Sequence, residues 1–314
     1  MKLIRSILFL ITVLFFFISC GEGEHVIYVS PEGDNSLEGT EEFPLQTLEK
    51  ALEKAMELRK NEKGQISILL EEGDYYLSNP LVISNALSDL AIIGEGTEKV
   101  SVKGSKVLQT NWKAFDENIY YTEIKEDIDF SQVYINGKKQ ILARYPNYNE
   151  NGGAWQGHAA DAISKERVST WNNPKGGFVH AMHRGRWGGF HYLINGIDAK
   201  GELMLSGGHQ NNRPSSIHPE LRMVENIFEE LDSEGEWYFD KQGKKLYLWV
   251  EEGTDLSNAT TEVSWLKHLI EISGNRENPV NNVKIEGIRF THTRTTFLEE
   301  YDKLLRSDWL SLIH

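Results

Sequence analysis

The segment from Asn281 to Thr293, with the sequence NNVKIEGIRFTHT, constrains the fold of this chain more than any other. Apolar residues alternate at Val283 and Ile285, and the alternation changes phase at Gly287 before it resumes at Ile288. Alternation places side chains on one face of a strand, and glycine permits a sharp corner. The pattern predicts two short strands that meet at Gly287, as in one coil of a parallel β-solenoid.

A solenoid coil buries its inner face only against neighbouring coils. The sequence has 314 residues, so this coil lies close to its end. We therefore expect an unpaired sheet edge in this region. Self-association or a missing continuation of the coils would cover it.

The first twenty residues have the pattern of an export signal. Lys2 and Arg5 precede an apolar run over residues 7–18, which is shorter than the about 20 residues of a membrane-spanning helix. The sequence FISC (17–20) then resembles the cleavage box of bacterial lipoproteins, whose cysteine receives the lipid. We expect lipidation at Cys20 and a cell-envelope lipoprotein at the outer membrane or cell surface. A membrane anchor and an ordinary cleavage site are the alternatives.

The composition indicates a globular, acidic protein, with 39% apolar residues and a formal charge of −14 at pH 7. Removal of Lys2 and Arg5 with the signal changes this charge to −16. Such a charge excludes nucleic acid as a partner and disfavours polyanionic glycans unless a cation or a basic patch bridges them. Neutral glycans remain suitable. Cys20 is the one cysteine, so the mature chain has no free thiol for disulfides or catalysis.

Strand patterns divide the chain after the signal peptide (1–20). Residues 21–104 combine one helix with short strands at a spacing of about ten residues, which predicts a cap and the first coils. Residues 105–265 contain longer aromatic strands with antiparallel turn signals, which predicts an inserted β-rich module. Regular coils return over 266–314, where they are incomplete.

Two local patterns are sharper than the rest. Asp240 to Lys245 separates two aromatic strands and predicts a hairpin. An amphipathic helix that begins at Pro44 and ends near Gly64 would cover the first coil. It is predicted by apolar residues at spacings of three and four: Leu45, Leu48, Leu52, Ala55 and Met56.

Five further segments carry a resemblance to a known group: YVSPEGDN (28–35), LARYPN (142–147), GEWYFD (235–240), LYLW (246–249) and LLRSDW (304–309). They resemble extracellular right-handed parallel β-helix proteins of the pectate lyase-like superfamily, and most resemble the subgroup around glycoside hydrolase family 141. The resemblance implies an all-β fold: a right-handed parallel β-helix with an N-terminal capping helix and an inserted antiparallel β module. It also implies a carbohydrate-active protein related to enzymes that act on fucosides or xylan.

In that subgroup the coils continue well past the LLRSDW segment, and the catalytic carboxylates are expected on those later coils. We therefore expect this chain to be an N-terminal fragment without the catalytic coils. A naturally short protein that is capped by self-association is the alternative. Glycoside hydrolysis needs two carboxyl groups that flank the scissile bond. Asp302 and Asp308 are the candidates that follow the last coil, although a solvated or structural role is the simpler interpretation.

Residues 176–191 are rich in glycine, histidine and arginine, and they predict one wall of a sugar-binding cleft. Aromatic faces and fixed donors suit sugar rings, whereas the histidine spacing matches no metal site, so we expect neither metal nor cofactor. Packing of a loop is the alternative. The substrate-binding candidates, including similar residues elsewhere and one on the outward face of the last coil, are Trp155, His158, His183, Arg184, Trp187 and Arg289.

Three functions stay open on the sequence. The first is a glycoside hydrolase-like, exported protein whose partner is a polysaccharide or oligosaccharide. The second is a polysaccharide lyase, which would abstract a proton next to a uronate carboxyl, often beside Ca²⁺. The third is a non-catalytic glycan-binding or surface-scaffold module.

Overall fold

The computed structural model describes residues 24–186, 188–209 and 215–299. They form a mainly β protein with few helices, whose strands lie in several sheets. The described residues fall into two compact units. The first contains residues up to Lys103 together with Leu269–Thr291, and the second contains Gly104–His268 and the described residues from His292 onward.

The strands are numbered along the chain. The first twelve are β1 (His25–Val29), β2 (Ile66–Leu70), β3 (Gly73–Tyr76), β4 (Leu81–Ser84), β5 (Leu90–Gly94), β6 (Val100–Lys103), β7 (Ser105–Leu108), β8 (Lys113–Ala114), β9 (Ile119–Glu123), β10 (Val133–Ile135), β11 (Lys138–Lys139) and β12 (Ile141–Leu142). The others are β13 (Arg144–Tyr145), β14 (Phe178–His183), β15 (Gly189–Ile197), β16 (Leu203–Gly207), β17 (Ile217–Glu225), β18 (Glu236–Asp240), β19 (Lys245–Trp249), β20 (Thr261–Ser264), β21 (Ile270–Ser273), β22 (Val283–Glu286) and β23 (Arg289–Thr291). The helices are α1 (Leu48–Leu58) and α2 (Lys165–Val168), and short 3₁₀ turns cover Asn85–Leu87, Ala154–Gln156 and Phe228–Glu230.

The first unit consists of parallel sheets with the orders β1-β2-β5-β22, β23-β6-β3 and β21-β4. In the largest of them, the register places Ile27, Ile68, Ile92 and Ile285 beside one another. The first three are almost completely buried. Because strands buried in parallel sheets carry continuous aliphatic rows, this ladder forms the core of the unit.

The corner at Gly287 lies where the alternation of the sequence predicts it. Gly287 has a φ of +68°, and it separates β22 from β23. A Cβ atom at this position would overlap the carbonyl oxygen of Gly94. Glycine is therefore required both for its backbone angle and for this close approach.

Helix α1 packs against β1, which is an edge strand of its sheet. Its N-cap is Thr47, whose hydroxyl accepts a hydrogen bond from the Lys50 amide. The predicted helix is confirmed, but it covers Leu48–Leu58 and is shorter at both ends than the predicted segment from Pro44 to near Gly64. Two positions of the predicted apolar face were also wrong. Leu45 precedes the helix and bridges to Val29, and the Met56 side chain is 47% exposed because it lies beyond the buried stripe.

The second unit contains the sheet β11-β10-β20-β7 and two five-stranded sheets. We call the sheet with the order β12-β18-β19-β9-β8 the Trp237 sheet. We call the sheet with the order β13-β17-β14-β15-β16 the His180 sheet. Most pairs in this unit are antiparallel, although β12 and β18 are parallel. The predicted hairpin is confirmed, since Asp240 pairs with Lys245 across the turn.

Each five-stranded sheet has its own apolar core. One core includes Trp237, Leu246 and Leu248, and the other includes Trp171 and Val179. The predicted β-rich character is confirmed, whereas the strands lie in several separate sheets, some parallel and some antiparallel, and the parallel β-helix stays a prediction. No helix among the described residues is long and apolar enough to span a membrane.

Candidate functional site

Arg144 anchors a loop of the second unit where the two five-stranded sheets join. A single residue, Ala143, separates β12 from β13, so Arg144 enters the interior at this junction and is only 5% exposed. Its guanidinium donates hydrogen bonds to the carbonyl oxygens of Pro146, Trp155 and Gly157, at 2.9, 2.8 and 3.0 Å. Five fixed N–H donors make arginine suited to holding several carbonyl groups at once. The 146–157 loop therefore depends on this side chain.

Two of the predicted sugar-binding residues lie at the end of the anchored loop: Trp155 within it and His158 directly after it. Trp155 has a φ of +53°, which is unusual for a residue with a side chain and which its contact with Arg144 stabilises. Its indole N–H is buried and has no hydrogen-bond partner among the described residues. His158 is partly buried beside Gly153.

A buried pair of histidines lies on the His180 sheet. His180 and His191 face each other on β14 and β15, and their Nδ1 atoms share a short hydrogen bond. The Nε2 atom of His180 lies 2.9 Å from the Glu225 carboxylate, and Phe297 covers both rings. A hydrogen bond between the two Nδ1 atoms requires that one of them carries a proton and the other accepts it.

Two carboxyl groups near Arg144 have opposed pKa shifts. Burial alone would raise the pKa of Glu225, but the charge and hydrogen bond of His180, together with Arg144, outweigh burial and place the pKa below its usual value. Burial raises the pKa of Glu236 to about 8, against backbone hydrogen bonds from Asp232 and Ser233. Glu236 is 1% exposed, and its Oε1 atom has no hydrogen-bond partner among the described residues.

We call Arg144, His180, His191, Glu225 and Glu236 the Arg144 cluster. The pKa of Glu236 is raised and that of Glu225 is lowered, and such opposed shifts of two nearby carboxyl groups are a combination that acid–base catalysis uses. Within the cluster, only the Glu225 side chain is moderately exposed, at 20%. The cluster therefore lies mostly inside the fold, where Arg144 positions the 146–157 loop. The sequence did not predict this cluster, because its members are up to 92 positions apart and meet only through strand register.

A row of tyrosines crosses the Trp237 sheet. The register aligns Lys113, Tyr121, Tyr247 and Tyr238 on neighbouring strands, which places their side chains on one face. We call Tyr121, Tyr247 and Tyr238 the tyrosine row. The centroids of adjacent rings are 5.9 and 6.4 Å apart, and their planes are inclined by 34° and 42°. Phe115 extends the surface, since it is 50% exposed and packs edge-on against Tyr247 at 5.1 Å.

The glycine- and histidine-rich segment forms the turn between β14 and β15. His183 is buried, its Nδ1 atom accepts a hydrogen bond from the Gly185 amide at 2.8 Å, and its ring stacks on Phe190. Arg184 is exposed, and its amide donates to the Ser216 carbonyl. His183 therefore holds the turn, whereas Arg184 stays available for a ligand.

The remaining predicted residues lie elsewhere. Arg289 is on β23 in the first unit, where it is exposed and forms an ion pair with Glu98 at 2.7 Å. Trp187, Asp302, Asp308 and Cys20 lie outside the described residues. The described residues contain no group of three or more histidine, cysteine or acidic side chains placed to hold a metal ion.

No protein-family model and no curated protein matches this chain. Among solved structures, a glycoside hydrolase matches with a TM-score of 0.70 and 23% sequence identity, over 86% of this chain and 51% of its own. The chain thus spans about half the length of that structure, and the likeness shows the fold alone. A second structure, XylC with xylose, covers 87% of this chain and 36% of its own at 14% identity, and its TM-score of 0.41 is too low to support an argument.

Proposed function

We propose that this chain is a carbohydrate-active protein that binds neutral glycans through the second unit. The likeness to a solved glycoside hydrolase over 86% of the chain carries this proposal. The tyrosine row adds a chemical reason. Its rings are partly exposed, with Phe228 packed against Tyr238 and Tyr247. Aromatic faces pack against the C–H groups of sugar rings, and phenol groups hydrogen-bond to sugar hydroxyls. The formal charge of −14 favours neutral over anionic chains.

We further propose that the first unit is the start of a right-handed parallel β-helix. Its support is the in-register stacking of β1, β2, β5 and β22 and the glycine corner that separates β22 from β23. Edge strands β21 and β23 expose Ile272 and Phe290, which supports self-association at this edge. Sedimentation at increasing concentration tests that step, and a monomer throughout would contradict it.

Export with a lipid on Cys20 is also a proposal, supported by the pattern of residues 1–20. Labelling cells with a fatty-acid analogue tests it, and label that persists in Cys20→Ala would contradict it. We assign glycan recognition, not turnover, to the described residues. Near Arg144, the carboxyl group with a raised pKa is that of Glu236, and this side chain is buried. Asp302 and Asp308 stay candidates for catalysis.

The test is binding of the full chain to xylan, a neutral fucosylated oligosaccharide and polygalacturonate. We expect binding to a neutral glycan and weaker binding, by about fivefold, in Tyr247→Ala, from the loss of an aromatic contact worth about 1 kcal/mol. Phe43→Ala is the matched control, because Phe43 is an exposed aromatic residue of the first unit, at 48%. Binding to no neutral glycan, or equal losses in both variants, would contradict the proposal.

Product analysis of the same samples separates the alternatives. New reducing ends alone would indicate a hydrolase. A product that absorbs ultraviolet light because it contains a new double bond would indicate a lyase, whereas binding without product would indicate recognition alone.

A further inference from the structure

β21, β22 and β23 lie together at one edge of the first unit. They pair in parallel with β4, β5 and β6, which follow one another in the same order along the chain. Within the described ranges 24–186, 188–209 and 215–299, none of the three pairs with a further strand. We call these three strands the open edge. An edge of this kind is a template for pairing with another chain.

The inward side chains of the open edge occupy core positions, but they stay exposed. Ile272 pairs with Ile83 and Phe290 pairs with Val102, and both of these partners are buried. Paired residues of neighbouring strands point to the same face of a sheet, so Ile272 and Phe290 point inward. They are nevertheless 58% and 42% exposed, and Ile285 at the end of the isoleucine ladder is only partly buried. The exposure therefore marks the end of an apolar core and not a solvated outer face.

The outward side chains of β22 carry opposite charges. Lys284 and Glu286 flank Ile285, form an ion pair with each other, and are 60% and 59% exposed. If two copies of β22 pair antiparallel and centred on Ile285, Lys284 of each copy lies directly opposite Glu286 of the other. A parallel pair in register would place like charges opposite each other. Because opposite charges across a strand pair stabilise it and like charges destabilise it, these residues favour the antiparallel pair.

An antiparallel pair of identical strands has a two-fold axis, which is the commonest symmetry of protein dimers. Because β21 precedes β22 and β23 follows it around the unit, an axis through the middle of β22 places β21 of one copy over β23 of the other. The exposed Ile272 of one copy then lies near the exposed Phe290 of the second copy. The same axis thus matches the charges and covers both apolar ends.

We propose that two copies of this chain associate through the open edge, with their β22 strands antiparallel and centred on Ile285. The partner is a second copy of the chain, and the interface joins the two apolar cores end to end. This inference rests on the self-association proposed above and specifies its register. A charged edge that only prevents pairing is the alternative, and it predicts a monomer.

The experiment exchanges the two charges in the full chain. Lys284→Glu places four acidic side chains around the axis of a pair of identical copies, and Glu286→Lys places four basic ones there. Each variant should therefore dimerise at least about tenfold more weakly than the wild type. An equimolar mixture of the two should dimerise again, because every glutamate then faces a lysine. Sedimentation at a concentration that dimerises the wild type measures all three samples.

Lys63→Glu is the matched control, because Lys63 is an exposed lysine before β2 and the substitution changes the net charge by the same amount. Its dimerisation should equal that of the wild type. Thermal midpoints close to that of the wild type would show that the variants fold, as expected for substitutions of exposed side chains.

Three results would decide against the inference. A wild type that stays monomeric at every concentration would overturn it together with self-association, and it would leave the proposed glycan binding intact. Dimers that persist unchanged in both single variants would overturn this register alone. A mixture that stays monomeric, although both variants fold, would also overturn it.

Discussion

The two units bury very different residues. In the first unit the core is an aliphatic ladder, and Lys103, paired with Asp74 at 2.8 Å, is the one buried lysine, arginine, histidine or acidic side chain among its described residues. The second unit buries several ionisable side chains together with its apolar cores. They include Arg144, His180, His183, His191, His218, Glu230, Glu236, Glu262 and His292.

This difference separates residues that stabilise the fold from residues that can bind a ligand or react. Burying aliphatic rows stabilises a fold at about 25 cal/mol per Å² of apolar surface and needs no special partner. Burying a charge costs several kcal/mol unless other groups compensate it, and such groups concentrate where a protein binds or reacts. We therefore expect substitutions in the second unit to alter pH dependence and ligand binding, and those in the first unit to alter stability alone.

The largest expected effect is at Arg144. Arg144→Met removes three hydrogen bonds and leaves Glu225 with less compensation, so we expect a loss of about 3–5 kcal/mol in the free energy of unfolding. Urea denaturation measures it. Lys103→Met is the matched control in the first unit and should cost less, because its partner Asp74 is 47% exposed and can be hydrated. An equal or larger loss in Lys103→Met would remove the contrast between the units.

A smaller effect on the free energy of unfolding, with a definite direction of pH dependence, is expected at Glu236. Its folded-state pKa of about 8 exceeds the unfolded value of 4.5, so the folded state retains a proton that the unfolded state loses. The contribution of Glu236 to the stability of the wild type is therefore fully present below pH 4.5 and is lost as the pH rises through about 8. Glu236→Gln should remove this loss and become more stable relative to wild type at pH 8 than at pH 5, by roughly 3–4 kcal/mol.

The contribution of Glu225 to stability should depend on pH in the opposite direction, which Glu225→Gln tests. The folded-state pKa of Glu225 is lowered, so wild type gains stability from it above the unfolded pKa and loses that contribution as the pH falls. Urea denaturation at several pH values measures both variants. Parallel profiles for the two would contradict the opposed environments of these carboxyl groups.

The smallest effect on the free energy of unfolding is expected in the first unit, at its corner. Gly287→Ala combines a positive φ with an overlap on the Gly94 carbonyl, and we expect a loss of about 1–3 kcal/mol. Gly137→Ala is the control, since Gly137 has a similar φ of +76° but its Cβ would meet no atom within 4 Å. The difference in their thermal midpoints isolates the close approach, and equal midpoints would show that the backbone angle alone matters. Glycan affinity should not change in either variant.

The sequence predicted those features that depend on neighbouring residues. Alternation and one glycine were enough to locate the corner at Gly287, and turn residues located the hairpin at Asp240. The helix was predicted with its buried face one residue too wide, at Met56, because periodicity does not show where the covering surface ends.

The site could not be predicted in the same way. His180 meets Glu225 through the pairing of β14 with β17, which are separated by several other elements of the chain. Register between distant strands is set by the packing of whole faces, so no local pattern reports it. The tyrosine row was missed for the same reason, although its aromatic strands were recognised.

Hydrogen exchange with and without a bound neutral glycan tests the central claim most directly. The account predicts added protection of amides in β9, β18 and β19, which carry the tyrosine row, and unchanged exchange in β2 and β5 of the first unit. Protection confined to the first unit, around Arg289 on β23, with the second unit unchanged would contradict it.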